Sequence, residues 1–309
     1  MKKYLRIMRL NHWIKQLFII PGCVASLFLT DTSLSSYIGV KFVIGFISVC
    51  LIASANYVIN EWLDAEFDRY HPTKKYRSVV TEDVKGSIVY ILWGFLTLVG
   101  CFLAHYVNVP FLFMCVWLWG MGIIYNVRPF RTKDIPYLDV LSESINNAIR
   151  LLMGWFIISG TTIPPSSLVL GYWMAGAFLM AIKRYAEYRM INSKELAANY
   201  RNSFRYYTEK SLLISSFFYA MCSVFFIGVF LVKYRTELVL IIPIVIGLYC
   251  YYFNLSFHDD SSVQRPEKLY HEKGLIVYCL IVILLFTVLM YIDIPLLAGL
   301  TDNKLIYLP

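Results

Sequence analysis

The chain has 309 residues, of which 59% are hydrophobic and 16% charged, and its formal net charge is +8. Soluble domains contain about 25% charged residues, so this composition, with a mean hydropathy of +0.60, excludes an ordinary soluble domain. The seven cysteines fall in apolar runs without a C-x-x-C spacing, which argues against a disulfide framework or a metal cluster.

Apolar runs of about 20 residues, the length needed to cross a bilayer, follow one another along the chain. The first comes after the basic stretch MKKYLRIMRLNHWIK, and because no small-residue cleavage site follows, we interpret it as a retained span. The predicted fold is all-α, a polytopic membrane bundle of about nine transmembrane helices that form one domain over residues 1–309. The nine spans lie near residues 15–30, 38–59, 86–106, 110–126, 139–159, 166–183, 211–232, 238–256 and 274–292.

Basic residues are concentrated on one face of this predicted bundle. The N-terminus and the connectors after spans 2, 4, 6 and 8 hold 23 of the 28 Lys and Arg residues. The positive-inside rule makes these segments cytoplasmic and the C-terminus external, which agrees with an odd number of spans. Membrane topology therefore explains the positive net charge, and no nucleic acid partner is expected.

The second predicted span ends in the sequence NEWLDAEFD, residues 60–68. Asn60, Asp64 and Asp68 are spaced i, i+4, i+8, so a helix places their oxygen atoms along one stripe. Like charges at this spacing repel each other, so we expect a cation between the two aspartates. Mg²⁺ is the natural candidate, because it prefers a few carboxylates together with waters and substrate phosphates.

A basic sequence, HPTKKYR, follows the acidic stripe directly. Lys74, Lys75 and Arg77 are candidates to hold the phosphates that the metal bridges. Positive-inside bias would also explain a basic cluster at this position, so the two interpretations remain open.

The acidic stretch resembles the N-D-x-x-D-x-x-x-D motif of the UbiA superfamily of intramembrane prenyltransferases, with Glu61 in place of the second residue. This resemblance implies a nine-helix bundle with a Mg²⁺-dependent site that opens to the cytoplasm and to lipid. It implies that Asn60, Asp64 and Asp68 are the metal ligands, whereas Glu61 need not be a direct ligand.

Two further substrate-binding residues are implied by the same resemblance. Lys15 lies in the opening sequence, and Tyr125 begins the loop YNVRPFRTKDIPYLD, which resembles the Y-S-x-x-P-x-R-L-K loop of the superfamily. Arg131 of that loop is a further phosphate candidate, although an ordinary cytoplasmic loop charge is an equally good interpretation.

Typical superfamily members carry a second Asp-rich motif after the sixth helix, but the corresponding sequence here, KRYAEYR, is basic. It resembles the K-R-x-A-E segment of the decaprenyl-phosphate phosphoribosyltransferase branch. The opening MRLNHWIKQLFIIPG and the late segment around Pro266 and Glu267 resemble the same branch. The resemblance implies that Lys183 and Arg184 bind phosphates and that Glu187 orients Lys183 or a ribose hydroxyl. Snorkelling of the two cations, or a simple i, i+4 pair of Lys183 with Glu187, are the alternatives.

The fifth predicted span carries a polar face. Glu143, Asn146, Asn147 and Arg150 are spaced i, i+3, i+4, i+7, which places them on one side of a helix. Unpaired polar groups in hydrocarbon are costly, so this face is expected to line a cavity or to pair internally.

These features predict a transferase of a bacterial-type plasma (inner) membrane, with its active site on the cytoplasmic face. The resemblance implies transfer of 5-phosphoribosyl from phosphoribosyl diphosphate to a polyprenyl, decaprenyl-type phosphate, with Mg²⁺ as cofactor. The predicted catalytic residues are Asp64, Asp68 and Lys183. The predicted substrate-binding residues are Lys15, Lys74, Arg77, Tyr125, Arg131, Arg184 and Glu187.

Two alternatives remain open at the level of the sequence. A prenyltransferase that moves an isoprenyl group from its diphosphate to an aromatic acceptor would need a second acidic cluster, for which Asp134 and Asp139 are the available residues. A non-catalytic carrier of lipid phosphates would give no reason for a stripe of metal ligands on one face.

Overall fold

The protein is described here from a computed structural model, which describes residues 2–30, 32, 35–71, 73–258, 262–264, 269 and 271–297. The segment around Pro266 and Glu267 lies outside these residues. The described part is all-helical, as predicted, because a helix satisfies every backbone hydrogen bond within its own segment in a membrane. The α-helices are α1 Lys2–Ile7, α2 Ile20–Leu29, α3 Ser36–Asp68, α4 Ser78–Thr81, α5 Gly86–Val107, α6 Val109–Asn126, α7 Leu138–Ile158, α8 Ser166–Ile191, α9 Lys194–Tyr200, α10 Glu209–Tyr234, α11 Ile242–Leu255 and α12 Lys273–Tyr291.

Among the described residues, eight helical stretches are long and apolar enough to cross a membrane. They correspond to all the predicted spans except the fifth. That span is present as the 21-residue helix α7, but its polar face lowers its hydropathy. The chain is an integral membrane protein, and the expectation of about nine spanning helices is approximately confirmed.

Short 3₁₀ segments extend or connect several of the helices. Leu10–Ile19 leads into α2, and Thr236–Ile241 leads into α11. Lys74–Tyr76 lies in the loop after α3, and Thr132–Asp134 lies between α6 and α7. The last two segments carry basic side chains of the site described below.

Helices α2 and α7 approach each other closely through two glycines. A Cβ atom on Gly22 would lie 1.9 Å from the backbone oxygen of Leu151, and one on Gly154 would lie 1.9 Å from the backbone oxygen of Ile19. Small residues allow this kind of close backbone contact between membrane helices. The contact fixes the N-terminal segment, including Gln16, beside the polar face of α7.

Helices α3, α7 and α8 surround the polar interior of the bundle. Helix α3 packs against α5 and α6, and α7 packs between α2, α6 and α8. The longest helix, α3, has 33 residues and ends at Asp68, so the acidic stripe lies in its last turns. The N-terminus of α7 and the C-terminus of α8 reach the same end of the bundle.

Candidate active site

A cavity of about 520 Å³ opens between the N-terminal segment, α3, α7 and α8. It contains ten of the eleven site residues predicted from the sequence, from segments far apart in the chain. Arg131 does not line the cavity but contacts one of the residues that does. The ten lining residues are Lys15, Asn60, Asp64, Asp68, Lys74, Arg77, Tyr125, Lys183, Arg184 and Glu187.

The two aspartates of the acidic stripe are each neutralised by basic side chains. Asp64 forms ion pairs with Lys133 and with Arg131, the latter at 3.2 Å. Asp68 accepts a hydrogen bond from Arg77 at 2.5 Å. The sequence predicted a cation between the aspartates, and here protein cations compensate both charges.

Asn60 is held beside Asp64 by hydrogen bonds within the site. Its side-chain amide donates to Asp64 at 3.1 Å and to Asn126 Oδ1 at 2.5 Å. Lys133 donates to the same Asn126 oxygen at 2.8 Å. Burial lowers the pKa of Lys133 to about 8, an effect that the Asp64 carboxylate only partly offsets. Lys133 therefore remains mostly charged near neutral pH.

The loop after α3 is shaped by His71. Its Nδ1 accepts hydrogen bonds from the backbone N–H groups of Thr73 and Lys74, each at 3.2 Å. Burial lowers the pKa of His71 to about 3, so the ring is neutral and can accept these bonds. The turn directs Lys74 across the cavity, where its ammonium donates to Glu187 at 2.9 Å. Burial opposes the charge of Lys74, but Glu187, Tyr200 and Asp68 together outweigh it and raise the Lys74 pKa.

The guanidinium of Arg184 forms ion pairs with three carboxylates of the protein. It is 1% exposed, and it forms ion pairs with Asp139 at 3.3 Å, with Glu187 at 3.1 Å and with Glu143. Its Nη2 also donates to the hydroxyl of Tyr125 at 3.1 Å. These bonds occupy all three nitrogen atoms of the Arg184 guanidinium, and its predicted phosphate-binding role stays a prediction.

Glu187 does not form the alternative i, i+4 ion pair with Lys183, and its predicted role toward a ribose hydroxyl stays a prediction. Glu187 instead binds Lys74 and Arg184, because those two cations reach it from across the cavity and from its own helix. The Lys183 ammonium makes no hydrogen bond or ion pair with any described residue, although it lines the cavity. An unpaired cation in a cavity at a membrane-helix end is a position for an anionic ligand.

Arg131 also differs from the expectation for a free phosphate ligand. It is 8% exposed, and its guanidinium contacts Asp64 at 3.2 Å and Asp134 at 3.0 Å. It also donates to the backbone oxygen of Asn126 at 3.1 Å. Arg131 therefore contacts Asp64 of the acidic stripe without lining the cavity.

The polar face of α7 lines the cavity, one of the two outcomes that the sequence left open. Glu143, Asn146, Asn147 and Arg150 all contribute to its wall. Glu143 accepts a hydrogen bond from the hydroxyl of Tyr125 at 2.8 Å. The side chain of Tyr125, a residue implied by resemblance alone, thereby links α6 to α7.

Sequence reasoning missed Arg201, which lies in the connection after α9 and lines the cavity. Its guanidinium donates to the Tyr125 hydroxyl at 3.2 Å and lies 3.7 Å from Asp139. Burial opposes its charge, but the surrounding tyrosines and Asp139 raise its pKa well above the ordinary value. In the sequence it is one of seven basic residues of the sixth connector, and no local pattern distinguishes it.

A family model described as the UbiA prenyltransferase family matches residues 18–280. The chain belongs to this family.

Two curated relatives carry the name of the branch that the basic motif resembles. The chain is 27% identical over 209 residues to the decaprenyl-phosphate phosphoribosyltransferase of Mycolicibacterium smegmatis, a match that covers 67% of this chain and 63% of that protein. It is 29% identical over 213 residues to the protein of the same name from Mycobacterium tuberculosis, with 67% and 66% coverage. The chain thus spans just under two thirds of the length of each relative, and the resemblance to this branch is confirmed.

A solved structure supports the fold. A UbiA homolog from Archaeoglobus fulgidus bound to GPP and Mg²⁺ superimposes with a TM-score of 0.69 at 20% identity, covering 93% of this chain and 99% of that one. At this identity the likeness shows that the chain has the UbiA fold.

The acidic stripe offers oxygen donors for a divalent cation. Within the described residues, no three His, Cys, Asp or Glu side chains form a metal-binding group, and Glu61 is engaged with Arg9 at 2.8 Å. Two carboxylates and one amide oxygen suit Mg²⁺, which takes its remaining ligands from water and substrate phosphates. Asn60, Asp64 and Asp68 therefore fit Mg²⁺ together with a phosphorylated substrate, and do not form a cage of protein ligands alone.

Proposed function

We propose that this UbiA family member transfers a 5-phosphoribosyl group from phosphoribosyl diphosphate to a polyprenyl phosphate and releases pyrophosphate. The proposal extends to this chain the activity that the names of the two relatives describe. The observation that carries it is the charge of the cavity. Four carboxylates line it, Asp64, Asp68, Glu143 and Glu187, against eight basic side chains, Arg9, Lys15, Lys74, Arg77, Arg150, Lys183, Arg184 and Arg201.

An excess of four positive charges in a cavity of this size favours a substrate that carries several phosphate groups. Phosphoribosyl diphosphate carries three phosphoryl groups on one sugar, and the lipid acceptor adds another phosphate. The ammonium of Lys183 supports the same conclusion, because no carboxylate of the described residues lies within ion-pair distance of it.

The second candidate, isoprenyl transfer to an aromatic acceptor, requires further acids for a second metal. Asp139 is fully buried, lies outside the cavity wall and accepts a hydrogen bond from Tyr207 at 2.7 Å. Asp134 is bound by Arg131. Glu143 and Glu187 do line the cavity, but both form ion pairs with Arg184, and Glu187 also pairs with Lys74. The residues named for the second acidic cluster are thus engaged elsewhere.

Placement and charge stabilisation are the main tasks of such a site. Asn60, Asp64 and Asp68 would hold Mg²⁺, which when bound supplies Lewis-acid stabilisation of the diphosphate leaving group. Lys183, Lys74 and Arg77 would bind phosphate oxygens of the donor. Arg77 pairs with Asp68 in this structure. It would be available to a phosphate only when Asp68 binds Mg²⁺ instead.

The chemical step needs little acid–base catalysis. An oxygen of the ionised lipid phosphate attacks C1 of the ribose, the bond from C1 to the diphosphate oxygen breaks, and pyrophosphate leaves with the bonding electrons. Arg184 holds Glu187 and Glu143 in place, and Glu187 in turn orients Lys74. Lys15 extends the basic wall at the N-terminal segment, beside His12, whose ring nitrogen lies 3.3 Å from its ammonium.

The topology of the reaction follows from the distribution of basic residues. From the positive-inside rule we infer that the cavity mouth opens to the cytoplasm, and we propose a bacterial-type inner membrane as the location. A water-soluble donor would enter from the cytosol, and the lipid phosphate would enter from the bilayer. A non-catalytic carrier would not need a leaving-group site.

The test is an assay of membranes that contain the full chain, incubated with phosphoribosyl diphosphate labelled in the ribose and with polyprenyl phosphate. The proposal predicts a Mg²⁺-dependent, organic-extractable labelled lipid. Absence of this product, with lipid and donor both bound, would favour the carrier.

A further inference from the structure

The deep end of the cavity holds a cation that the proposed reaction has not yet used. Arg150 lies 12 residues after the start of α7, which places its Cα about 18 Å along the helix from its first residue. It therefore lies well inside the membrane-spanning bundle, beyond the acidic stripe as seen from the cavity mouth. Its side chain is partly exposed, and the space that it faces is the cavity.

All the hydrogen bonds of Arg150 go to neutral acceptors. Its Nε donates to Gln16 Oε1 at 2.8 Å, and its Nη1 donates to the backbone oxygen of Asn146 at 3.1 Å and to Asn147 Oδ1 at 3.3 Å. Its Nη2 makes no hydrogen bond within the described part of the chain. No carboxylate of that part lies within ion-pair distance of the guanidinium.

The acid that shares this helix face does not compensate the charge. Glu143 lies seven residues earlier, about 10 Å along the helix, and it is bound by Arg184 and Tyr125. A charged group inside a membrane is costly and as a rule is paired or faces a functional cavity. The hydrogen bonds that Arg150 donates to Gln16 and Asn147 orient the guanidinium and leave Nη2 free.

Gln16 anchors the guanidinium of Arg150 without itself lining the cavity. It is fully buried, and its Nε2 has no hydrogen-bond partner among the described residues. The deep end therefore presents a guanidinium without an ion-pair partner, whose free Nη2 is a donor suited to a phosphate oxygen.

We propose that Arg150, supported by Gln16 and Asn147, forms a second phosphate subsite that binds a phosphate monoester at the deep end of the cavity. As a part of the reaction, this subsite rests on the proposed function. Two groups share this chemistry, the 5-phosphate of the donor and the phosphate of the lipid acceptor. With Lys183 and the acidic stripe nearer the mouth, the cavity then has two anion-binding ends with room for a sugar between them.

Such a subsite also sets specificity. An isoprenyl diphosphate carries charge at one end only, and its hydrocarbon would have to cover Arg150 without satisfying it. A donor with phosphate groups at both ends would pair with Arg150 at the deep end and with the cations near the mouth. Arg150 therefore selects against an isoprenyl donor in this cavity.

The test uses the purified full chain in lipid nanodiscs and measures binding apart from turnover. The variants are Arg150→Gln, Arg150→Lys and, as the matched control, Arg235→Gln, whose guanidinium pairs with Glu237 at 3.1 Å at the opposite end of the bundle. The soluble probes are ribose 5-phosphate and ribose, and the lipid probes are polyprenyl phosphate and polyprenol.

We expect Arg150→Gln to weaken the binding of one phosphate probe about tenfold or more, as befits a charged hydrogen bond, and to leave its phosphate-free partner unaffected. Loss for ribose 5-phosphate assigns the subsite to the donor, and loss for polyprenyl phosphate assigns it to the acceptor. If Arg150→Gln does not fold, the test uses Arg150→Lys. We expect a smaller loss of phosphate binding in this variant, because lysine keeps the positive charge but lacks the planar donor geometry of the guanidinium.

Unchanged binding of both phosphate probes in a folded Arg150 variant would overturn the subsite, as would an equal loss in Arg235→Gln. The fate of the proposed function is separate. If the wild-type chain binds a phosphate monoester through Arg150 but makes no phosphoribosyl lipid, the subsite stands and the proposed reaction fails.

Discussion

Lys74 and Glu187 join two charged segments that are 113 residues apart, through a hydrogen bond of 2.9 Å from the lysine ammonium to Glu187 Oε1. Lys74 follows the acidic stripe of α3, and Glu187 lies near the end of α8. Their contact closes one side of the cavity and brings Asp64, Asp68 and Lys183 to the same space. An anionic substrate can therefore meet the metal ligands and the basic wall at once.

This pair should stabilise the folded bundle. Glu187 is 2% exposed, and removing one partner of a buried pair typically costs about 3 kcal/mol. We expect Glu187→Gln to lower the midpoint of thermal unfolding of the purified protein, and the double variant Lys74→Met/Glu187→Gln to lose less than the sum of the single variants. Glu82→Gln, which breaks an exposed pair with Arg6, should change stability by less than about 1 kcal/mol. Strict additivity in the cycle would show that the two side chains are not coupled.

The aspartates of the stripe should be required for turnover. Asp64→Asn and Asp68→Asn keep the side-chain shape but remove the charge that Mg²⁺ requires, and we expect at least a hundredfold loss of rate, about 3 kcal/mol of barrier. Glu66→Gln, on the same helix but exposed away from the cavity, should retain its rate. The measurement is the initial rate as Mg²⁺ is titrated. Full activity of either aspartate variant would remove the metal assignment.

Lys183 should contribute mainly to binding of the donor. Its ammonium has no partner among the described residues, so its hydrogen-bonding capacity is available to a substrate. We expect Lys183→Ala to raise the KM for phosphoribosyl diphosphate about tenfold or more, since a hydrogen bond between charged groups contributes about 1.5–3 kcal/mol, with little change in the KM for the lipid. Lys194→Ala, on the exposed start of α9, serves as the control. An equal rise in both KM values would make Lys183 a structural residue.

Substitution of Asp139 should lower the stability of the fold without changing the affinity for Mg²⁺. It is fully buried and accepts hydrogen bonds from Tyr207 at 2.7 Å, from Ser203 at 3.2 Å and from Arg184 at 3.3 Å. Asp139→Asn removes the charge that faces Arg184, so we expect a lower unfolding temperature. The Mg²⁺ concentration for half-maximal rate should stay unchanged, measured at a temperature where the variant is folded. A clear rise in that concentration would identify Asp139 as a ligand of a second metal and favour the isoprenyl reaction.

Local patterns in the sequence predict much of this fold. Hydropathy locates the spanning helices because backbone groups in lipid must be satisfied within the segment, and it fails in part for α7, whose polar face serves the cavity. The spacing of Asn60, Asp64 and Asp68 predicts one stripe because helical geometry is local. The polar face of α7 follows from the same periodicity.

Contacts between distant segments are not contained in such patterns. Lys183 and Glu187 fit an i, i+4 pair, but Lys74 and Arg184 bind Glu187 in the folded chain. Arg201 reaches Tyr125 only because the connection after α9 folds back over the cavity. The basic residues Arg131 and Arg184 resemble phosphate ligands in sequence, and only the packed structure gives them carboxylate partners.

The most direct test of the central claim offers the purified chain both kinds of donor in one reaction. Phosphoribosyl diphosphate labelled in the ribose and an isoprenyl diphosphate with a different label compete, in the presence of polyprenyl phosphate, an aromatic acceptor and Mg²⁺. The account predicts a polyprenyl lipid that carries the ribose label, pyrophosphate released in equal amount, and no prenylated aromatic product. A prenylated aromatic product without any ribose-labelled lipid would contradict it.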